Sequence, residues 1–140
     1  MQRPGGQFSI NVTRGNLFHS TCALAHCVSR DLKMSMGIAQ IFRDTFCRID
    51  QLERQNCRVG QVATLNVDGR YIYYLITKLK YNDKPTYETL RESLVDMKVK
   101  LIFSTVLGRL ICNFHFFTLR FYVKTNLVIV GDMKLLFSSF

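Results

Sequence analysis

The sequence predicts an α/β fold in which helices cover a sheet, and three observations carry that expectation. Strand-like and helix-like patterns alternate from residue 8 to residue 98, as layered α/β domains require. The run Tyr71–Ile76 is apolar and aromatic throughout, which suits a strand buried on both faces. At 140 residues, 48% hydrophobic and 21% charged, the chain fits one domain large enough to bury its own core.

Taken in order, Phe8–Thr13 (FSINVT) alternates apolar and polar residues and predicts a half-exposed strand. Ala23–Val28 (ALAHCV) is short and nearly all apolar, which predicts a buried one. From Ser35 the spacing changes: Ile38, Ile41, Phe42 and Phe46 fall on one helical face, with the helix starting at Met36 or Gly37. A more polar helical stretch covers Ile49–Gln55. Val62–Val67, the Asp68-Gly69 turn and Arg70–Thr77 predict a hairpin, because glycine accepts positive φ at no steric cost. After Lys84-Pro85 an amphipathic helix places Tyr87, Leu90, Leu94 and Met97 at core positions, with Glu88 in the first turn where the helix dipole favours it.

Beyond Met97 the texture changes. Residues 101–140 hold seven of the eleven phenylalanines, four basic residues and a single acidic one, Asp132. LIFSTVL, NFHFFTLRFYV and NLVIV read as strands. The organisation expected is a short tail over 1–7, a layered region over 8–98, and an atypical hydrophobic, basic region over 99–140. Arg109, Arg120 and Lys124 break up the hydrophobicity, so no uncharged run reaches the ~18 residues that would suggest a membrane span.

The net charge of +9 suits a polyanionic partner such as a nucleotide pyrophosphate, nucleic acid or an anionic surface. Five cysteines, Cys22, Cys27, Cys47, Cys57 and Cys112, form no CxxC pair, which argues against a disulfide framework or zinc site. His19 and His115 have no partners at metal-ligand spacing, and no cofactor is expected. MQRPGGQ offers no apolar signal-peptide core, so an intracellular location, in nucleus or cytoplasm, is expected.

The loop Ser29–Ala39, SRDLKMSMGIA, leaves the second strand and enters the first helix. In α/β sheets ligands sit beyond the carboxyl ends of strands, and a helix N-terminus there offers free N–H groups to an anion. By pattern alone a polar crossover loop is the favoured reading, and for Lys78 a solvated strand-end lysine. RGNLF (14–18), LAHCVSRDLKMSMGIA (24–39), DGRYIYYLITK (68–78) and KPTYETL (84–90) together resemble the macrodomain family, and its terminal ADP-ribose glycohydrolase or O-acetyl-ADP-ribose deacetylase branch in particular. The resemblance runs from Phe8 to Met97. It implies a three-layer α/β/α fold with a mixed sheet, altered or incomplete at its C-terminal end, and a ligand cleft along the strand ends.

Carried over position by position, the resemblance puts Asn16 and Leu17 at the adenine end of ADP-ribose, with Asn16 standing where most members have aspartate. It makes Ser29 and Thr77 ligand contacts and places Met34, Ser35, Gly37 and Ile38 beside the distal ribose. Ser35-Met36-Gly37 replaces the usual Gly-x-Gly. Lys78 matches the catalytic nucleophile, while Thr86 and Tyr87 line the cleft. An amine attacking the anomeric carbon of an ADP-ribosyl ester forms a covalent sugar adduct, which a carboxylate then helps to resolve. In the family that carboxylate lies in a GCGLD-type loop, but residues 98–130 contain no aspartate or glutamate. Gly131-Asp132 is the only downstream Gly-Asp pair and lacks the flanking pattern.

The implied partners are ADP-ribose or O-acetyl-ADP-ribose and proteins mono-ADP-ribosylated on glutamate, bound by a monomer with activity reduced or lost. A fully active hydrolase using another carboxylate is a second reading. A third is a basic aromatic protein binding RNA or a membrane surface through NFHFFTLRFYVK; without an RNP-type motif, nucleic acid is not the expected partner. His26, in a buried strand, is expected to be a hydrogen-bonded core histidine.

Overall fold

The computed structural model describes residues 15–112 and 127–130. A 3-10 turn, Leu17–His19, leads into β1 (Ala23–Ser29), α1 (Gly37–Phe46), α2 (Ile49–Arg54), β2 (Val62–Val67), β3 (Arg70–Lys78), α3 (Tyr87–Cys112) and β4 (Leu127–Val130). The expected strand over Phe8–Thr13, the NFHFFTLRFYV segment and Asp132 lie outside the described residues.

The strands form one mixed sheet in the order β2-β3-β1-β4. β2 and β3 are antiparallel, while β1 runs parallel to both β3 and β4. At the hairpin turn Asp68 has φ 52° and Gly69 φ 83°, so both central residues are left-handed. That combination matches the right-handed twist of the flanking strands.

Alternate residues of a strand face opposite sides of its sheet, and here each side has its own core. Leu24, Val28, Leu65, Ile72, Tyr74 and Ile76 pack with Phe42 of α1 and Leu52 of α2. Ala25, Val62, Tyr73 and Leu75 pack on the opposite face with Leu90 and Met97 of α3. The result is three layers, α1 and α2, then sheet, then α3, as expected. Complete burial of a side chain the size of Phe42 is worth on the order of 2–3 kcal/mol.

The expected elements between residues 23 and 98 form, and the NLVIV segment supplies β4 as a strand. The structure corrects three expectations. LIFSTVL is helical, because α3 continues unbroken through residue 98 to Cys112. Ile41 is 48% exposed and Tyr87 42% exposed, so neither anchors a core. Phe42 holds α1 in place, and Leu90 with Met97 does so for α3.

Candidate functional site

Because β1 and β3 are parallel neighbours, their carboxyl ends lie at the same edge of the sheet. A shift in register between Val28 and Ser29 brings Ser29 opposite Lys78. The Arg30 N–H then donates to the Lys78 carbonyl at 2.9 Å. The loops that follow the two strands are therefore joined where they leave the sheet.

Lys78 is half-buried, and its Nζ donates to the Tyr81 carbonyl at 2.7 Å. Asp31 occupies the facing loop. Its Oδ1 accepts from the Ser29 hydroxyl at 2.5 Å and the Lys33 N–H at 3.3 Å, and its Oδ2 from the Tyr81 N–H at 3.0 Å. Burial opposes the Asp31 charge, but these hydrogen bonds, with the nearby Lys33 ammonium, hold its carboxyl below the usual range. The Lys33 ammonium also lies 3.8 Å above the centre of the Tyr81 ring.

Thr77 is 2% exposed, and its hydroxyl has no hydrogen-bond partner among the described residues. Its carbonyl accepts from the Thr89 hydroxyl at 2.7 Å, and the Thr89 N–H donates to Thr86 Oγ1 at 3.2 Å. Thr86 thus caps α3 and ties the start of that helix to the end of β3.

Leu32 and Met34 adopt left-handed backbone, φ 48° and 38°, and bury their side chains in the core beneath the loop. Each left-handed residue costs about 1–2 kcal/mol, which burial of the side chain offsets. Ser35 is half-buried, and Ile38 packs against the same core. Gly37, at φ 62°, opens α1 with no atom within 4 Å of where a Cβ would stand. The preceding Met36 provides no side-chain cap, so no capping side chain covers the first-turn amides.

The structure brings Ser29 opposite Lys78 and links Thr86 to the Thr77 carbonyl through Thr89. Met34, Ser35, Gly37 and Ile38 follow on the same β1-to-α1 connection, and Tyr87 begins α3. Asn16 is engaged locally: its Oδ1 accepts from the Phe18 N–H at 3.0 Å and its amide contacts His19 Nε2 at 3.3 Å. Leu17 packs against the α1-side core. Among the described residues no hydrogen bond joins Asn16 or Leu17 to the Lys78 group, no carboxylate pairs with the Lys78 amine, and no side-chain cluster could hold a metal. Sequence reasoning passed over Asp31 and Tyr81. The available signal was local: an aspartate turning back onto an N–H two residues on is a common loop device.

No protein-family profile matches the chain. ADP-ribose glycohydrolase OARD1 of Bos taurus and that of Homo sapiens are each 48% identical to it over 91 residues, 64% of this chain and 60% of theirs. Among solved structures, the macrodomain of Thermus aquaticus DarG matches 66% of this chain and 68% of its own, with a TM-score of 0.58 at 24% identity. The chain has the macrodomain fold. The macrodomain of Mycobacterium tuberculosis DarG shares the fold at 15% identity, with a TM-score of 0.57 over 67% of this chain and 68% of that one. The chain spans about three-fifths of the length of the curated relatives it matches.

Proposed function

We propose that this macrodomain binds ADP-ribose across the carboxyl ends of β1 and β3, and that Lys78 is a nucleophile toward ADP-ribosyl esters. The observation that carries the reading is the mounting of Lys78. A central strand ends on Lys78 with Ser29 opposite it on the parallel neighbour, the Thr77 hydroxyl has no hydrogen-bond partner among the described residues, and the loop that leaves β1 runs into an uncapped α1. The α1 amides suit a phosphate, and the Thr77 hydroxyl suits a ribose oxygen. The 48% identity to proteins named ADP-ribose glycohydrolase supports the substrate class.

In the proposed step the neutral Lys78 amine leaves the Tyr81 carbonyl and attacks the anomeric carbon. A C–N bond forms, the C–O bond to the glutamate carboxyl breaks, and the carboxylate departs with the bonding electrons. ADP-ribose on glutamate, O-acetyl-ADP-ribose and free ADP-ribose are the ligands in view. Release of the sugar from lysine calls for a general acid or base. No described carboxylate pairs with Lys78, so the adduct is expected to accumulate.

Intact-mass analysis after incubation with a glutamate-ADP-ribosylated protein should show an ADP-ribosyl adduct, which Lys78→Ala abolishes. Calorimetry should find that Lys78→Ala retains ADP-ribose affinity within about tenfold, or 1.4 kcal/mol. Fast multiple turnover without an adduct would establish a competent carboxylate. Absence of both adduct and ADP-ribose binding would reject the reading.

A further inference from the structure

We propose that Asp31 is a positioning residue for Lys78, acting through Tyr81. The inference rests on the reading of Lys78 as a nucleophile and adds a residue that the reading does not include.

Lys78 carries its amine on a long, flexible stem, so a defined resting position needs an external hold. That hold is the Tyr81 carbonyl, 2.7 Å from Nζ. Tyr81 itself lies outside any helix or strand and is 46% exposed, so its placement also needs a cause. Within its own turn, Asp83 accepts from the Lys80 N–H at 2.8 Å and donates its N–H to the Lys80 carbonyl at 3.1 Å. Those bonds shape the turn without fixing where it sits against β1.

Two contacts from the β1 loop do fix it: the Asp31 carboxylate on the Tyr81 N–H and the Lys33 ammonium over the Tyr81 ring. Asp31 is in turn oriented by Ser29 and the Lys33 N–H. A carboxylate from one loop thereby determines where the amine from the other strand rests, although the two groups form no ion pair. Charge-assisted bonds of this kind are the stronger class of protein hydrogen bond.

The test measures Lys78 in two ways. Brief treatment of the full chain with N-hydroxysuccinimide acetate, followed by peptide mass spectrometry, reports how freely each amine reacts. Asp31→Ala should acetylate Lys78 about threefold faster or more, relative to exposed Lys98, because the amine loses its hold. The same variant should form the ADP-ribosyl adduct about tenfold more slowly at saturating substrate, because the amine is no longer aimed. Asp31→Asn should restore most of both rates, since an amide oxygen still accepts from the Tyr81 N–H while its N–H₂ donates to the Ser29 oxygen, giving up only the 3.3 Å bond from the Lys33 N–H.

Equal Lys78 acetylation in Asp31→Ala and the parent would overturn the proposal. So would a parallel rise at Lys98, which marks general loosening, or a failure of asparagine to rescue. If the parent neither forms an adduct nor binds ADP-ribose, the function reading fails while the acetylation comparison still decides the role of Asp31.

Discussion

His26 is fully buried, with its ring stacked on Phe42 at 3.8 Å between centroids and edge-on to Tyr74 at 4.7 Å. It is a core histidine, as its strand predicted. The expected hydrogen bond is missing, since neither ring nitrogen has a partner among the described residues. Burial pushes its pKa from 6.5 down to about 3. Below pH 6.5 the unfolded chain takes up a proton that the folded chain refuses. The stabilisation associated with the neutral ring is complete above that pH and is lost as pH falls toward 3, by about 1.4 kcal/mol per unit. His26→Phe keeps an aromatic ring on Phe42 and removes the titration. Urea denaturation should find the variant about 2 kcal/mol more stable relative to the parent at pH 5 than at pH 7. An unchanged difference between those pH values would count against a buried neutral imidazole.

At the scale of elements, α3 determines how the sheet is closed on one side. Asp96 accepts from the Val62 N–H at 2.8 Å, securing the first residue of β2, and pairs with Lys100 at 3.0 Å. Asp96→Ala leaves that edge N–H without its acceptor and should cost about 1–2 kcal/mol in equilibrium unfolding, whereas Asp96→Asn should cost less. A loss below about 0.5 kcal/mol for alanine would mean that water replaces the carboxylate fully. The start of α3 was legible because Pro85 and Thr86 precede apolar residues at helical spacing. Its end was not. Leu101–Leu107 is an apolar and β-branched run broken only by Ser104, and such a run cannot be told from a buried strand by periodicity. A helix already nucleated at Tyr87 carries it forward, since propagation adds a hydrogen bond per residue without a new nucleus.

For the molecule as a whole, a sheet covered by helices could be read from the sequence because each strand's apolar run and each helix's period is a local property, while the three-layer arrangement was implied by the family resemblance. The order of the strands is a different matter. β1 lies between β3 and β4, partners far away in sequence, and nothing in the sequence of β1 says which edge each will take. Much of the candidate site shares that limit. Lys78 was singled out through four motifs that occur together, and the structure puts it opposite Ser29. The hydrogen bond from the Tyr81 N–H to the Asp31 carboxylate joins residues fifty positions apart, so it exists only once two parallel strands are neighbours.

The Asp68-Gly69 turn has a consequence in time. Of the three described strand pairings, β2 with β3 alone is local in sequence; the other two must each close a long loop. A hairpin of this kind forms in about 1–10 μs, well before distant strands meet. The hairpin is therefore expected to be structured in the folding transition state and to serve as the template on which β1 docks. Gly69→Ala, which places a side chain at φ 83°, should slow refolding about tenfold and leave the unfolding rate nearly unchanged in a denaturant chevron. The reverse pattern, faster unfolding with refolding intact, would place the nucleus elsewhere. The strand that carries Lys78 would then be among the first parts of this chain to take shape.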